Sequence, residues 1–199
     1  MLKVLGINGS PRKGGNSDTL LKYVLTGAER GGCATEAINL CDYRFQGCIG
    51  CEKCRQDKAC TGVRDDMQLI YPKIEESKGL VLVSPTHNYN VTAWMKAFID
   101  RLYCFYNFTD ERPGEWSSRL AGQGRAAIIA SIGEQENYED GVGFTLDAMR
   151  RPVEALGFEV ITQLPVLGTF LKKAITKQPE LLLKTEELGK QLAVRLKDA

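Results

Sequence analysis

Cys48, Cys51, Cys54 and Cys60 form the pattern C-x2-C-x2-C-x5-C. Thiolates two residues apart can curl round one small inorganic core. Three chemistries compete for this spacing. A [4Fe–4S] cluster suits the C-x2-C-x2-C start. Structural zinc prefers two separated pairs and matches less well. Redox-active or free thiols need no metal. The other three cysteines, Cys33, Cys41 and Cys104, stand alone and read as small buried hydrophobes.

A second chemistry lies near the start of the chain, in Gly9-Ser10-Pro11-Arg12-Lys13-Gly14-Gly15-Asn16-Ser17-Asp18-Thr19. An apolar run, Leu2 to Asn8, precedes it, and a helical pattern from Leu20 follows. Gly, Ser and Asn in such a loop can turn backbone N–H groups inward. The helix N-terminus adds partial positive charge, and Arg12 adds a fixed cation. The result is a cup for one phosphate. A Walker loop is excluded, because Gly15-Asn16 stand where Lys-Ser or Lys-Thr belong. A dinucleotide fingerprint is excluded too, since Gly6 and Gly9 do not give G-x-G-x-x-G. A plain strand–helix turn capped by Asn16 or Ser17 is the structural alternative.

A third stretch, Ser84-Pro85-Thr86-His87-Asn88-Tyr89-Asn90-Val91-Thr92, offers amides, carboxamides and an aromatic ring. It could edge a flat heterocycle, or be only a turn with Thr92 as a helix N-cap. His87 is the single histidine, and no Ser-His or Cys-His triad is compelling. His87 reads as a ligand contact rather than a catalyst.

Alternating elements must position these loops. Strands are expected over 2–8, 33–40, 79–84, 125–132 and 158–167, the last broken late by Pro165. Helices are expected over 16–31, 67–74 (with Pro72 as a break or kink), 92–105, 142–156 and 179–196. Residues 41–66 have no period and form an insertion of about that extent. Residues 107–124 read as a polar loop. The alternation predicts an α/β, flavodoxin-like three-layer sandwich: a five-stranded parallel sheet in order 2-1-3-4-5, with the Cys-rich insertion after strand 2. In that fold ligands bind beyond the carboxyl ends of the strands, which selects the loops 9–19, 85–91 and 131–141.

The chain of 199 residues is read as a single domain over 1–199. A net charge of +1 gives no electrostatic case for nucleic acid or a membrane surface. No apolar run has spanning length and no signal-peptide pattern opens the chain, so a cytoplasmic location with reduced thiols is expected. Phe45, Tyr106, Phe108 and Trp116 lie in long loops and suit subunit contacts, as in a homodimer or homotetramer.

Gly9-Ser10-Pro11-Arg12 with Gly15-Asn16-Ser17, then Ser84-Pro85-Thr86 and Lys96-Ala97-Phe98-Ile99-Asp100-Arg101, together resemble the NAD(P)H-dependent FMN reductase family of the flavodoxin-like superfamily. The resemblance covers nearly the whole chain and implies FMN as cofactor. Ser10, Arg12, Asn16 and Ser17 would hold its phosphate. Pro85, Thr86, His87, Asn88, Tyr89 and Asn90 would line its ring. The family usually has tyrosine where His87 stands. Ser131 and Gly133 match the family's third loop loosely. Asp100-Arg101 reads as a structural or interface pair. The cysteine run followed by Val63-Arg64-Asp65-Asp66-Met67 resembles the iron–sulfur flavoproteins of the same fold. That resemblance implies a [4Fe–4S] cluster on Cys48, Cys51, Cys54 and Cys60, with NAD(P)H or ferredoxin as donor and a small-molecule acceptor. Two rivals are a plain NAD(P)H-dependent FMN or quinone reductase without a cluster, and a non-enzymatic flavin electron carrier. A phosphate-binding regulatory domain with structural zinc is the third.

Overall fold

Val4 to Ile7, Leu80 to Val83 and Ala126 to Ile132 are buried on both faces, as inner strands of a parallel sheet require. The computed structural model describes residues 1–199. Its elements are β1 (Lys3–Asn8), α1 (Asn16–Arg30), β2 (Ala34–Asn39), α2 (Cys54–Asp57), α3 (Met67–Glu76), β3 (Gly79–Pro85), α4 (Ala93–Asp100), β4 (Tyr106–Phe108), β5 (Trp116–Ser118), β6 (Arg125–Ile132), α5 (Tyr138–Val142), α6 (Thr145–Ala155), β7 (Phe158–Val166) and α7 (Pro179–Lys197). The main sheet is parallel in the order β2-β1-β3-β6-β7. This is the expected 2-1-3-4-5 order, with β6 and β7 as its fourth and fifth strands.

Strand side chains alternate between two cores. Leu5, Ile7, Leu80, Leu82, Ala127 and Ile129 pack under α3, α4 and α6. Val4, Val81, Val83, Ala126, Ile128 and Ala130 pack under α1 and α7. The α1–α7 contact is unusually close. A Cβ on Gly27 would be driven into the carbonyl oxygen of Glu186, and one on Gly189 into that of Val24.

Several expectations change in detail. The polar loop expected over 107–124 contains a hairpin, with Tyr106 opposite Ser118 and Phe108 opposite Trp116. Its strands are three residues long, too short to show a period. The helix expected over 92–105 tightens into a 3-10 turn from Arg101 to Phe105. Pro72 sits inside α3 without ending it. Pro165 does not break β7, which is an edge strand and can spare a ladder N–H. The helix expected over 142–156 divides into α5 and α6 at Gly143, whose φ is 52°. No helix is long and apolar enough to cross a membrane.

Candidate functional site

β1 ends at Asn8, and its side chain starts the turn that follows. Asn8 Oδ1 accepts from the Ser10 N–H at 2.9 Å, while Asn8 Nδ2 donates to Asp18 Oδ1 at 2.6 Å and Asn39 Oδ1 at 3.0 Å. The Gly9 N–H donates to the Val83 carbonyl at 2.8 Å. The Thr92 hydroxyl donates to the Gly9 carbonyl at 2.6 Å and accepts the Met95 N–H at 3.2 Å. One residue thus caps α4 and ties the first loop to the second. Ser10 Oγ accepts the Arg12 N–H at 3.1 Å, and Asp18 Oδ2 accepts the Gly15 N–H at 3.1 Å. The first-turn amides of Asn16 and Ser17 have no intrahelical acceptor and point from the helix start.

These groups open into a cleft of about 120 Å³ at the carboxyl ends of β1, β3 and β6. Ser10, Arg12, Asn16 and Ser17 line one side; Pro85, Thr86 and His87 line another. Ile132 and Glu134 come from the third loop. Thr169, Phe170 and Lys172, after β7, form a fourth wall. Asn16 holds that wall in place: its Nδ2 donates to the Leu171 carbonyl at 3.0 Å, and its Oδ1 accepts the Ile175 N–H at 3.2 Å. The Arg12 guanidinium carbon lies 5.1 Å from the centre of the Phe170 ring.

The second loop is a tight turn. The N–H and carbonyl of His87 pair with those of Asn90 at 2.8 and 3.1 Å, with φ of 49° at Asn88 and 65° at Tyr89. Two left-handed central residues define a type I′ turn. Asn tolerates that conformation; Tyr does so at a cost. The Tyr89 carbonyl is fixed by the Phe144 N–H at 2.7 Å, which leaves its ring half exposed.

Seven of the expected contacts, Ser10, Arg12, Asn16, Ser17, Pro85, Thr86 and His87, therefore meet in one cleft. Asn88 and Tyr89 line an adjoining hollow with Thr86 and Glu134. Asn90 is spent inside the turn, where its side chain accepts the Val91 N–H at 2.8 Å. Ser131 is fully buried in β6 and its hydroxyl has no partner. Gly133 is buried against Gly141 and bonds to Val166 and Thr169 through its backbone. Ile132 and Glu134 face the cleft in their place. The second role of Thr92 and the wall at 169–172 were not legible in the sequence. For the wall, the one local signal is Gly168 with φ of 63°, ahead of Thr169 and Phe170.

The four clustered cysteines line a separate recess of about 220 Å³, walled by Ile49, Val63 and Tyr103. All are free thiols. No three metal-ligating side chains converge on one point for a single ion. The thiols stand round the recess instead. They still sense one another: burial, then the charges of Cys60, Cys48 and Cys51, push the Cys54 thiol up. Buried Cys104 beneath them is pushed up to about 12 by burial, with Cys60 and Cys54 adding. The Gly50 N–H donates to Cys48 Sγ at 3.4 Å. Gly62 abuts Cys51 Sγ, so a side chain there would displace that thiol. Of the three isolated cysteines, Cys33 and Cys104 are buried as expected, and Cys41 is half-buried.

Arg101 also lines this recess, and its partner is Asp65, not the adjacent Asp100. Asp100 pairs with Lys96 at 2.5 Å. Burial opposes the charge on Asp65, but the Arg101 guanidinium and the amides of Gln46 and Met67 outweigh it and hold the carboxyl below its usual range.

The profile of the NADPH-dependent FMN reductase family matches residues 2–138. An iron-sulfur flavoprotein of Archaeoglobus fulgidus is 34% identical over 162 residues, covering 80% of this chain and 70% of that protein. An iron-sulfur flavoprotein of Methanocaldococcus jannaschii is 38% identical over 100 residues, covering 50% of this chain and 51% of that one. Apart from the first of these, the chain spans about half the length of the curated relatives it matches. Among solved structures, an NAD(P)H:quinone oxidoreductase from Methanothermobacter marburgensis superposes with a TM-score of 0.70 at 17% identity, over 96% of this chain and 98% of that one. A flavodoxin from an archaeon does so at 0.60 and 13%, over 98% and 99%. The flavodoxin-like fold is thereby shared, and the chain belongs to the NADPH-dependent FMN reductase family, as a flavoprotein oxidoreductase that uses FMN and a nicotinamide nucleotide.

Proposed function

We propose that the cleft holds the FMN phosphate at the start of α1 and the flavin ring against the loop 85–90, and that Cys48, Cys51, Cys54 and Cys60 hold a [4Fe–4S] cluster. The observation that carries the flavin site is the convergence of Ser10, Arg12, Ser17 and the α1 N-terminus with Pro85, Thr86 and His87. The Asn16 side chain is occupied by Leu171 and Ile175, so Asn16 serves the phosphate through its backbone amide. Arg12, Lys172 across the cleft and the free first-turn amides suit one terminal phosphate, hence FMN. Ser131 and Gly133 support the ring-side loop from beneath, and Asn88, Tyr89 and Asn90 shape its rim. When bound, FMN supplies hydride exchange with a nicotinamide and single-electron exchange with a cluster.

An all-sulfur donor set spread round an apolar recess suits a polynuclear core, which takes thiolates at its corners. The Gly50 N–H on Cys48 Sγ is the kind of bond that stabilises such a sulfur. The names of the curated relatives agree with this reading. Ferredoxin or NAD(P)H is then the donor, and a quinone or another small molecule the acceptor. Such a site keeps to a reducing compartment, the cytoplasm.

The test is protein purified without oxygen. Chromophore released by acid should be FMN; FAD, or no flavin, defeats the flavin site. Iron and sulfide analysis should find both, and Cys48→Ala should abolish them with FMN retained. Protein without iron leaves the plain reductase. Turnover with ferredoxin but not NAD(P)H would mark a carrier.

The single domain over 1–199 acts as a homodimer or homotetramer in this reading. Tyr106 and Phe108 pack partly within their own subunit, with ring centres 6.0 Å apart, and Phe45 rests on the core. Trp116 and Tyr103 keep large exposed faces and line one hollow with Tyr106 and Phe108. Sedimentation at micromolar concentration should show an even-numbered assembly that Trp116→Glu dissociates.

A further inference from the structure

The loop that bears the cysteines leaves the body near Gln46 and returns near Asp65. One side chain stands at that neck. Arg101 has no solvent exposure. Its Nη1 donates to the Gln46 carbonyl at 2.9 Å and to Asp65 Oδ2 at 2.7 Å. Its Nη2 donates to Asp65 Oδ1 at 3.1 Å and reaches the Val63 carbonyl at 3.5 Å. Asp65 in turn accepts the N–H groups of Gln46 and Met67, each at 3.1 Å. So the two ends of the cysteine loop are fastened to one guanidinium. The Arg101 Nε is buried with no partner, and the residue forms part of the wall of the cysteine recess.

We infer that Arg101 is a positioning residue for the four-cysteine site: it clasps both ends of the loop, and it sets a permanent cation against the thiolates. The clasp needs a planar fork with several donors, which lysine lacks. The cation offsets the negative charge that four thiolates bring to one recess. A fixed positive charge beside a redox centre also favours the more negative of its two oxidation states, and so raises its potential. Arg101 opens the 3-10 turn after α4, on a different element from the four cysteines. Its role is thus separable from ligation.

This inference rests on the cluster reading above, so the experiment keeps the two apart. Two variants are compared with wild type. Arg101→Lys keeps the charge without the fork. Arg101→Met with Asp65→Leu removes the pair without leaving a buried charge alone. FMN per chain reports folding and should be unchanged in both. After anaerobic loading with ferrous iron and sulfide, cluster bleaching by a chelator should be about tenfold faster or more in both variants, as for loss of an outer-shell partner. Net charge is the same in the double variant, but Arg101 lines the recess and Asp65 does not, so the cluster's reduction potential should be more negative there and near that of wild type in Arg101→Lys. Equal bleaching rates overturn the clasp. An unchanged potential in the double variant overturns the role of the charge. If wild type takes up no iron, the cluster reading has failed. Hydrogen exchange of residues 46–65 in FMN-loaded protein then decides the clasp: faster exchange in both variants upholds it, and unchanged exchange refutes it.

Discussion

Arg12 and Tyr89, both proposed to serve the flavin, differ in what holds them. Arg12 is exposed and bridges the loop after β1 to Phe170. Its replacement by Ala should leave the melting temperature nearly unchanged and weaken FMN binding by about 1–3 kcal/mol, the worth of a hydrogen bond to a charged group. Fluorescence titration of the apoprotein with FMN measures it. Tyr89 carries backbone strain at φ of 65°. Tyr89→Gly should relieve that strain and raise stability by up to about 1 kcal/mol. The same change removes a ring from the hollow beside the cleft, so FMN affinity should fall. Denaturant unfolding of the apoprotein and FMN titration should therefore move in opposite directions. The types of Arg12 and Tyr89 were legible in the sequence. The strain was not, because φ depends on the Phe144 amide, which is 55 residues away in number and adjacent in space.

Elements meet most tightly where α1 crosses α7. Gly27 and Gly189 let the backbones touch, and the segment below them is filled by Val24, Ala28, Leu192 and Ala193. Gly189→Ala should cost about 1–3 kcal/mol by overpacking, and more if the helices cannot part. A lowered urea midpoint with an unchanged slope would show it. Strands of the main sheet could be read from their burial pattern, since Leu80 to Val83 has no polar face to expose. The β4–β5 hairpin could not, because three residues give no period. The 3-10 turn after α4 was also hidden: Leu102 and Phe105 keep the helical spacing while the ladder tightens.

The whole molecule has a pH liability on the acid side. Asp65 lies below its ordinary 3.8 despite burial, through Arg101 and two amides. Glu36 lies below its ordinary 4.5 because the side chains of Lys3 and then Lys73 bond to it. A carboxylate with a depressed folded pKa stabilises the fold above its unfolded value, and that stability is lost as pH falls through the folded one. Thermal stability should thus decline from about pH 5 downward. Glu36→Gln and Asp65→Asn should each lower stability at neutral pH and flatten the acid decline, as differential scanning calorimetry across pH would show. The sequence made the parallel sheet and three of the four cleft walls legible, because each wall follows a strand at the switch in sheet order. It did not reveal the fourth wall, because β7 lies at the far edge and its loop is brought across by long-range bonds: the Asn16 side chain to Leu171 and Ile175, and the Thr169 and Gly168 amides to Gly133 and Gln135.

Those bonds also set an order of events in time. The loop after β1 is among the first parts of the chain to be synthesised, yet the wall that faces it includes Lys172, which is made more than 150 residues later. Contacts of such long range form late, after local helices and neighbouring strands. A nascent chain therefore carries an unfinished cup through most of translation. On the proposed flavin site, the cofactor would be captured only by a nearly complete chain, and a truncation before Gly168 should yield protein that cannot retain it.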